Sequence, residues 1–244
     1  VNLGFSAGNN IGINVALSRS ADYVVLLNPD TKIKPNWLKE VVRVGEMTSE
    51  IGVLGAVQLC YDSDCFNSWT LNALKPYLNE LAAPDNARWH ISVDWIEGSC
   101  FAIKRRVLED IGGLDPIYSS FYEEIDFCRR AACKGYQTVV VPRSQFHHYR
   151  GGVWQSNATL SRQRDYLCDR SQFIYHLTDP RASLFYNLQQ YFVTLGSKIA
   201  NTIRMADMSK AWDLVKIQMD ILCCCREVWS KWRKDRSNLC ERNT

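Results

Sequence analysis

Three short stretches of this sequence hold side chains that could do chemistry. In "LLNPDTKIKP" an apolar run from Val24 ends in Asn28, Pro29 and Asp30. In "FYEEIDFCRR" the acids Glu123, Glu124 and Asp126 crowd the start of an amphipathic run. In "VVVPRSQFHHYRGG" His147 and His148 come a few residues after a run of valines and just before paired glycines. A carboxylate oxygen and an imidazole nitrogen are ligand types that a divalent cation accepts. Taken singly, each stretch has an ordinary explanation. Asp30 can cap a helix or close an Asx-turn, and acids at a helix start suit its dipole. Together, in one crevice, they would make a set of oxygen and nitrogen ligands for a divalent cation.

Bringing them together requires an α/β framework. "NNIGINVALSRS" has helical spacing at Ile11, Val15 and Ala16, and "DYVVLLN" has the unbroken apolar character of a buried parallel strand. Pro35 suits the first turn of the next helix, whose apolar face would be Trp37, Leu38, Val41, Val42 and Val44. "IGVLGAVQL" reads as a further strand. From Cys60 to His90 no steady period is visible, which predicts a long excursion with little regular structure. Phe101 to Ile103 then form a strand, Lys104 to Ile111 a helix stopped by Gly112 and Gly113, and Glu123 to Lys134 a helix closed by Gly135. Tyr136 to Val141 supply the next strand, which leaves the histidines beyond its end. Asp30 and the histidines would thus sit at carboxyl ends of strands, where open α/β sheets hold ligands.

Composition narrows the classes. The chain has 244 residues, 46% of them hydrophobic, with 29 Lys and Arg against 26 Asp and Glu. That is an ordinary soluble domain with a helical appendage, and no overall polyanion binder. No stretch approaches the roughly twenty apolar residues that cross a bilayer, and no secretion leader is read at the start, so a cytoplasmic location is expected. The ten cysteines, outside a small secreted scaffold, are expected to be reduced, with no zinc-site spacing among them.

The ordered series "NLGFSAGNNIGINVAL", "YVVLLNPDT", "VDWIEGSCFAIKRRVLEDIGGLD", "FYEEIDFCRRAACKGYQTVVVP" and "HHYRGG" resembles inverting family 2 glycosyltransferases, most of all their rhamnosyltransferase-like branch. The resemblance covers about residues 1–152 and implies a GT-A fold: a Rossmann-like, mostly parallel sheet flanked by helices, with residues 153–244 as a helical C-terminal extension. It implies transfer of a sugar from a nucleotide-diphosphate donor, of dTDP-rhamnose or UDP-sugar type, to a glycan or lipid-linked acceptor. Asp30 would ligate Mg2+ or Mn2+, with Asn28 in place of the first acid of the family's Asp-X-Asp element. His148, or its rival His147, would complete the metal site. Glu124 would be the catalytic base, here one methylene longer than the family's usual Asp. Glu123 would orient the acceptor, and Asp126 would support the helix start. Asn9 and Asn10 would contact the donor, and Trp95, Gly98 and Ser99 would shape the loop where donor and acceptor meet.

The family pattern also implies two strands and an Asp that binds the base and ribose upstream of Val1, so the chain is expected to be a fragment. A catalytically degenerate, glycan- or protein-binding relative is the alternative reading. Near the end, "REVWSKWRKDRSN" mixes Trp229 and Trp232 with Arg226, Lys231, Arg233, Lys234 and Arg236. Such a basic helix is either a solvated packing helix or a peripheral contact with an anionic membrane. No nucleic-acid motif accompanies it.

Overall fold

The computed structural model describes residues 3–83, 88–149 and 156–240. The chain opens with helix α1 (Gly4–Ser18), strands β1 (Tyr23–Leu27) and β2 (Thr31–Ile33), helix α2 (Trp37–Gly45) and strand β3 (Ile51–Cys60). Three short helical pieces follow: α3 (Ser68–Ala73), a 3-10 turn (Lys75–Tyr77) and α4 (Leu78–Ala82). Then come β4 (Ile91–Val93), β5 (Cys100–Lys104), α5 (Arg105–Ile111), α6 (Glu123–Cys133) and β6 (Gln137–His148). Four helices close the chain: α7 (Ala158–Leu177), α8 (Leu184–Met205), α9 (Met208–Cys223) and α10 (Cys225–Cys240).

The strands make one sheet in the order β1-β5-β3-β6-β2, with β4 beside β6. The α/β sheet flanked by helices is as expected, but its strand directions are mixed. Only β3 and β6 pair in parallel, and the other described pairs are antiparallel. β1 lies at one end of the sheet, where Val24 and Leu26 are buried and Leu27 is exposed. An apolar run records hydrophobicity but not partner direction. β3 is the true central strand, buried along nearly its whole length. One of its faces packs with Phe101, Ile103, Phe127 and Ile13 under α1, α5 and α6. The other meets Val41 and Val44 of α2, with Trp37, Ala56, Cys100 and Phe146 in an adjoining cluster.

Three local expectations are corrected. Pro35 precedes α2 rather than opening it: Asn36 takes the N-cap in the left-handed region, at φ 63°, a conformation that Asn tolerates better than most residues. The excursion from Cys60 contains short helices, with Asn67 accepting from the Thr70 N–H at 2.8 Å and Trp69, Leu74 and Leu81 buried in the core. Pieces of five or six residues are too short to display a period. β6 runs through Pro142 to His148. Its register against β3 jumps from Ala56↔Val141 to Val57↔Gln145, so Pro142 falls in a bulge that needs no ladder N–H.

The C-terminal helices are fastened to the sheet domain. Phe173 and Ile174 of α7 pack with Tyr118 and with Leu214, Ile217 and Ile221 of α9. Arg170 donates to the Ile117 carbonyl at 2.9 Å, Ser171 to Ser120 at 3.1 Å, and Arg129 of α6 to Tyr175 at 2.8 Å. Fully buried Asp126 holds Arg129, Arg130 and Lys231 within 2.9 Å, and Lys231 also meets Asp115 and Asp235. Lys231, expected on an outward basic face, is therefore buried. Trp232 likewise turns inward, donating to the Asp179 carbonyl at 3.2 Å. The expected boundary at Gly151 and Gly152 lies outside the described residues.

Candidate active site

The acidic start of α6 is built on unusual backbone. Phe121 and Tyr122 both have positive φ, 67° and 69°, an arrangement that costs a bulky L-residue on the order of 1 kcal/mol or more. Tyr122 is the N-cap of α6, so this double left-handed turn aims the helix start. It is held from both sides. Ser171 bonds the carbonyl just before it, and on the other side the Phe5 N–H donates to Ser119 O at 2.7 Å. Gly4 is required there, because a Cβ would lie 2.8 Å from that carbonyl.

Glu123 is buried and Glu124 half-buried, and each has an enclosed Oε2 without a hydrogen-bond partner. Burial is the main force raising both carboxyls. It lifts Glu124 to about 7, against a backbone hydrogen bond that pulls the other way and with help from the charge of Glu97. Glu123 is pushed well above the usual carboxylate range by burial and then by Glu124. Gly98 lies against the base of Glu124, since a Cβ there would be 3.7 Å from the Glu124 Cβ. Ser99 beside it is buried, and its hydroxyl also lacks a partner. Glu97 was not singled out in the sequence. The signal available was its place in "WIEGS", one residue before the glycine that Glu124 touches.

Asp30 and His148 meet across the β2–β6 pair. The Asp30 Oδ1 lies 3.3 Å from His148 Nε2, because Thr31 is in register with His148 and the Tyr149 N–H donates to Asp30 O at 3.0 Å. His147 belongs to the opposite face of the strand. Its Nδ1 is 2.7 Å from the Cys60 carbonyl and its Nε2 is 3.4 Å from Asp64. Gln58 Nε2 sits 2.6 Å from His148 Nδ1, while the buried Gln58 Oε1 has no partner. With the amide so placed, His148 donates from Nε2 to Asp30. With the amide turned over, Nδ1–H bonds Oε1 and the Nε2 lone pair faces Asp30. That second state suits a cation. Among the described residues no group of three or more His, Cys, Asp or Glu could hold a metal. The pair nevertheless fits the mode in which Mg2+ takes one or two protein ligands and fills its shell with substrate phosphates and water.

One backbone bond links the two halves: Asn28 N–H donates to Ser99 O at 3.0 Å. The turn that carries Asp30 is thereby laid beside the loop that touches Glu124. Asn28 also accepts from Thr31 Oγ1 at 2.8 Å through its carbonyl. Trp95 packs edge-on against Trp69, ring centroids 5.9 Å apart, as a support of this loop. The expected donor contact of Asn10 is corrected. Its side chain donates to Leu114 O at 2.7 Å and accepts from Leu114 N–H at 2.9 Å, so both polar ends pin the turn after α5. Asn9 donates to Phe5 O within α1 at 2.8 Å. Asp126, expected to support the helix start, is engaged with Arg129, Arg130 and Lys231.

Comparison with known proteins adds lineage to this geometry. The family described as "Glycosyltransferase like family 2" matches residues 2–170. The low-salt glycan biosynthesis hexosyltransferase Agl10 of Haloferax volcanii is 30% identical over 141 residues, 53% of this chain and 43% of that protein. The N-acetylglucosaminyl-diphospho-decaprenol L-rhamnosyltransferase of Mycobacterium tuberculosis is 22% identical over 179 residues, 59% of this chain and 57% of that protein. The matches thus span about half the length of these relatives. A solved structure of GalNAc-T7 with UDP, GalNAc and Mn2+ covers 69% of this chain and 34% of that chain, at 14% identity and a TM-score of 0.48, below the level at which a common fold follows. Since the family match takes in well over half of the sequence, this chain belongs to glycosyltransferase family 2.

Proposed function

We propose that the protein transfers a sugar from a nucleotide-diphosphate donor, of dTDP-rhamnose or UDP-sugar type, to a glycan or lipid-linked saccharide, with inversion at the anomeric carbon. The observation that carries this reading is Glu124: an enclosed carboxyl with one oxygen left without a hydrogen-bond partner, raised to about 7, on a strained turn beside the loop bonded to Asn28. A sugar hydroxyl is a poor nucleophile at neutral pH. A carboxylate titrating near 7 is matched to removing its proton as the new bond forms, an effect of about 10²–10⁴-fold. Glu124 takes that proton, and Glu123, its carboxyl pushed up by burial and by the neighbouring Glu124, orients the acceptor. Ser99, buried beside Gly98 with its Oγ without a partner, offers a further polar group in this loop. No side chain is needed as a covalent nucleophile in a direct displacement, which inverts configuration.

Asp30 and His148 would hold Mg2+ or Mn2+, with Gln58 fixing the imidazole. When bound, such a cation neutralises charge on the departing diphosphate. The relatives named as a hexosyltransferase and as a rhamnosyltransferase on a diphospho-decaprenol acceptor support the donor and acceptor classes. The test is release of nucleoside diphosphate from dTDP-rhamnose and from UDP-sugars in the presence of Mn2+. Turnover that vanishes in Glu124→Gln and in Asp30→Ala is the expected result. Donor binding without turnover in the unaltered protein would instead favour a degenerate binding module, for which the Glu in place of Asp at position 124 is the motive.

A further inference from the structure

Glu97 has no part in the reaction as proposed, yet the chain on both sides of it is fixed. Before it, Ile96 is buried against Gly55 of β3 and Trp95 packs on Trp69. After it, Gly98 faces the Glu124 Cβ and the Phe5 ring, which lie 3.7 Å and 3.9 Å from where a Cβ on Gly98 would be. Ser99 then joins the Asn28 turn through its carbonyl. The backbone at position 97 is therefore held beside the start of α6. The Glu97 side chain is half-buried and its Oε2 is enclosed, so this carboxyl is largely withdrawn from bulk water. Two carboxyls thus approach one enclosure from separate elements, Glu124 from α6 and Glu97 from the loop.

The surrounding groups leave the charge of Glu97 uncancelled. Besides Glu123, the titratable groups that feel Glu124 are Tyr122 at the helix N-cap, Cys128 one turn on and Cys168 of α7. Burial raises all three, so each is uncharged at neutral pH. The cations nearest along the helix, Arg129 and Arg130, are taken up with Lys231 by Asp126. Asp126 stands two residues past Glu124 and so does not share its side of α6. Like charges brought together away from water do not both ionise at their ordinary values. The charge of Glu97 accordingly pushes the Glu124 carboxyl the same way as burial does.

We propose that Glu97 is a positioning residue for Glu124: its carboxylate, fixed by the packing of Ile96 and Gly98, makes Glu124 hold a proton more tightly and so act as a stronger base toward the acceptor hydroxyl. Its value to turnover rests on Glu124 being the base, so the test reads Glu124 directly as well as through the rate. In protein isotopically labelled at the glutamate carboxyl carbons, the Glu124 resonance is identified by its loss in Glu124→Gln and followed against pH. Its midpoint, about 7 in the parent, should fall by about one pH unit in Glu97→Gln and hold in Glu97→Asp, which keeps the charge. The pH–rate profile should move with it, so that turnover at pH 6 relative to pH 8 rises about fivefold in Glu97→Gln. A midpoint that Glu97→Gln leaves in place, in a variant with the parent's circular dichroism, overturns the proposal, and so does an equal fall in Glu97→Asp. A midpoint that falls in a protein without turnover upholds the tie between the two carboxyls and sets aside the base reading alone.

Discussion

At the scale of single residues, Glu124 is where protonation and activity meet. Its folded value of about 7 lies above the 4.5 of an ordinary Glu, with burial as the main cause. In its proposed role as base Glu124 must be deprotonated, so turnover is expected to rise with pH around a midpoint near 7, and a pH–rate profile checks this. The sign for stability is the reverse. The folded state binds the extra proton between the two values, so stability falls as pH rises from about 4.5 to 7. Glu124→Gln should therefore be more stable than the parent at pH 8, by about 1–3 kcal/mol for removing a charge from an enclosed site, while losing turnover, and denaturation at that pH reads it. Gln58→Leu should leave the fold intact and weaken Mn2+ affinity about 10–100-fold, the usual effect of removing a group that orients a ligating His. Titration of Mn2+ against activity or donor binding reads it. Of these residues, Asp30, the acids at 123, 124 and 126 and the histidine pair 147–148 stood out by type and spacing, and the family resemblance singled out Glu124 and His148 among them. Gln58 and Glu97 did not, since a glutamine on a buried strand and one more surface-type acid carry no spacing signal.

At the scale of elements, the loop at residues 97–99 is positioned by packing under it. Gly55 of β3 leaves room for Ile96, and a Cβ at that position would come within 2.8 Å of the Ile96 side chain. Gly55→Ala is expected to cost about 1–3 kcal/mol by overpacking and to lower kcat through displacement of Gly98 and Ser99 from Glu124. Chemical denaturation and steady-state kinetics on the same variant separate the two effects. The helices α1, α2, α5 and α6 and the strands β1, β3 and β5 were legible because each is long enough, or capped clearly enough, to show its period. β2 and β4, three residues each, were not. β6 was read short because Pro142 looks like a terminator until the bulge against β3 is seen. That bulge carries the strand on to His148, and with it the pairing that brings His148 to Asp30.

At the scale of the whole molecule, α6 is held from behind by a helix about a hundred residues later in the chain. Asp126 is fully buried among Arg129, Arg130 and Lys231, and these cations hold its carboxyl far below the usual range. Its contribution to stability is present above the unfolded value near 3.8 and is lost as pH falls. Lys231→Ala should cost about 3–5 kcal/mol by breaking a buried charge network, whereas exposed Lys234→Ala should cost less than about 0.5 kcal/mol. Urea denaturation of the two variants makes the comparison. The family match likewise runs into α7, to residue 170, in accord with α7 bracing the turn before Glu123. By itself the sequence determined the α/β class, the family and the acids and histidine worth testing, because hydrophobic period and ordered motifs are properties of consecutive residues. Only the tertiary structure decided strand direction, the placing of His148 rather than His147 beside Asp30, the commitment of Asn10 to Leu114 and the burial of Lys231. Each of those depends on which distant backbone lies alongside, and a linear pattern does not record that.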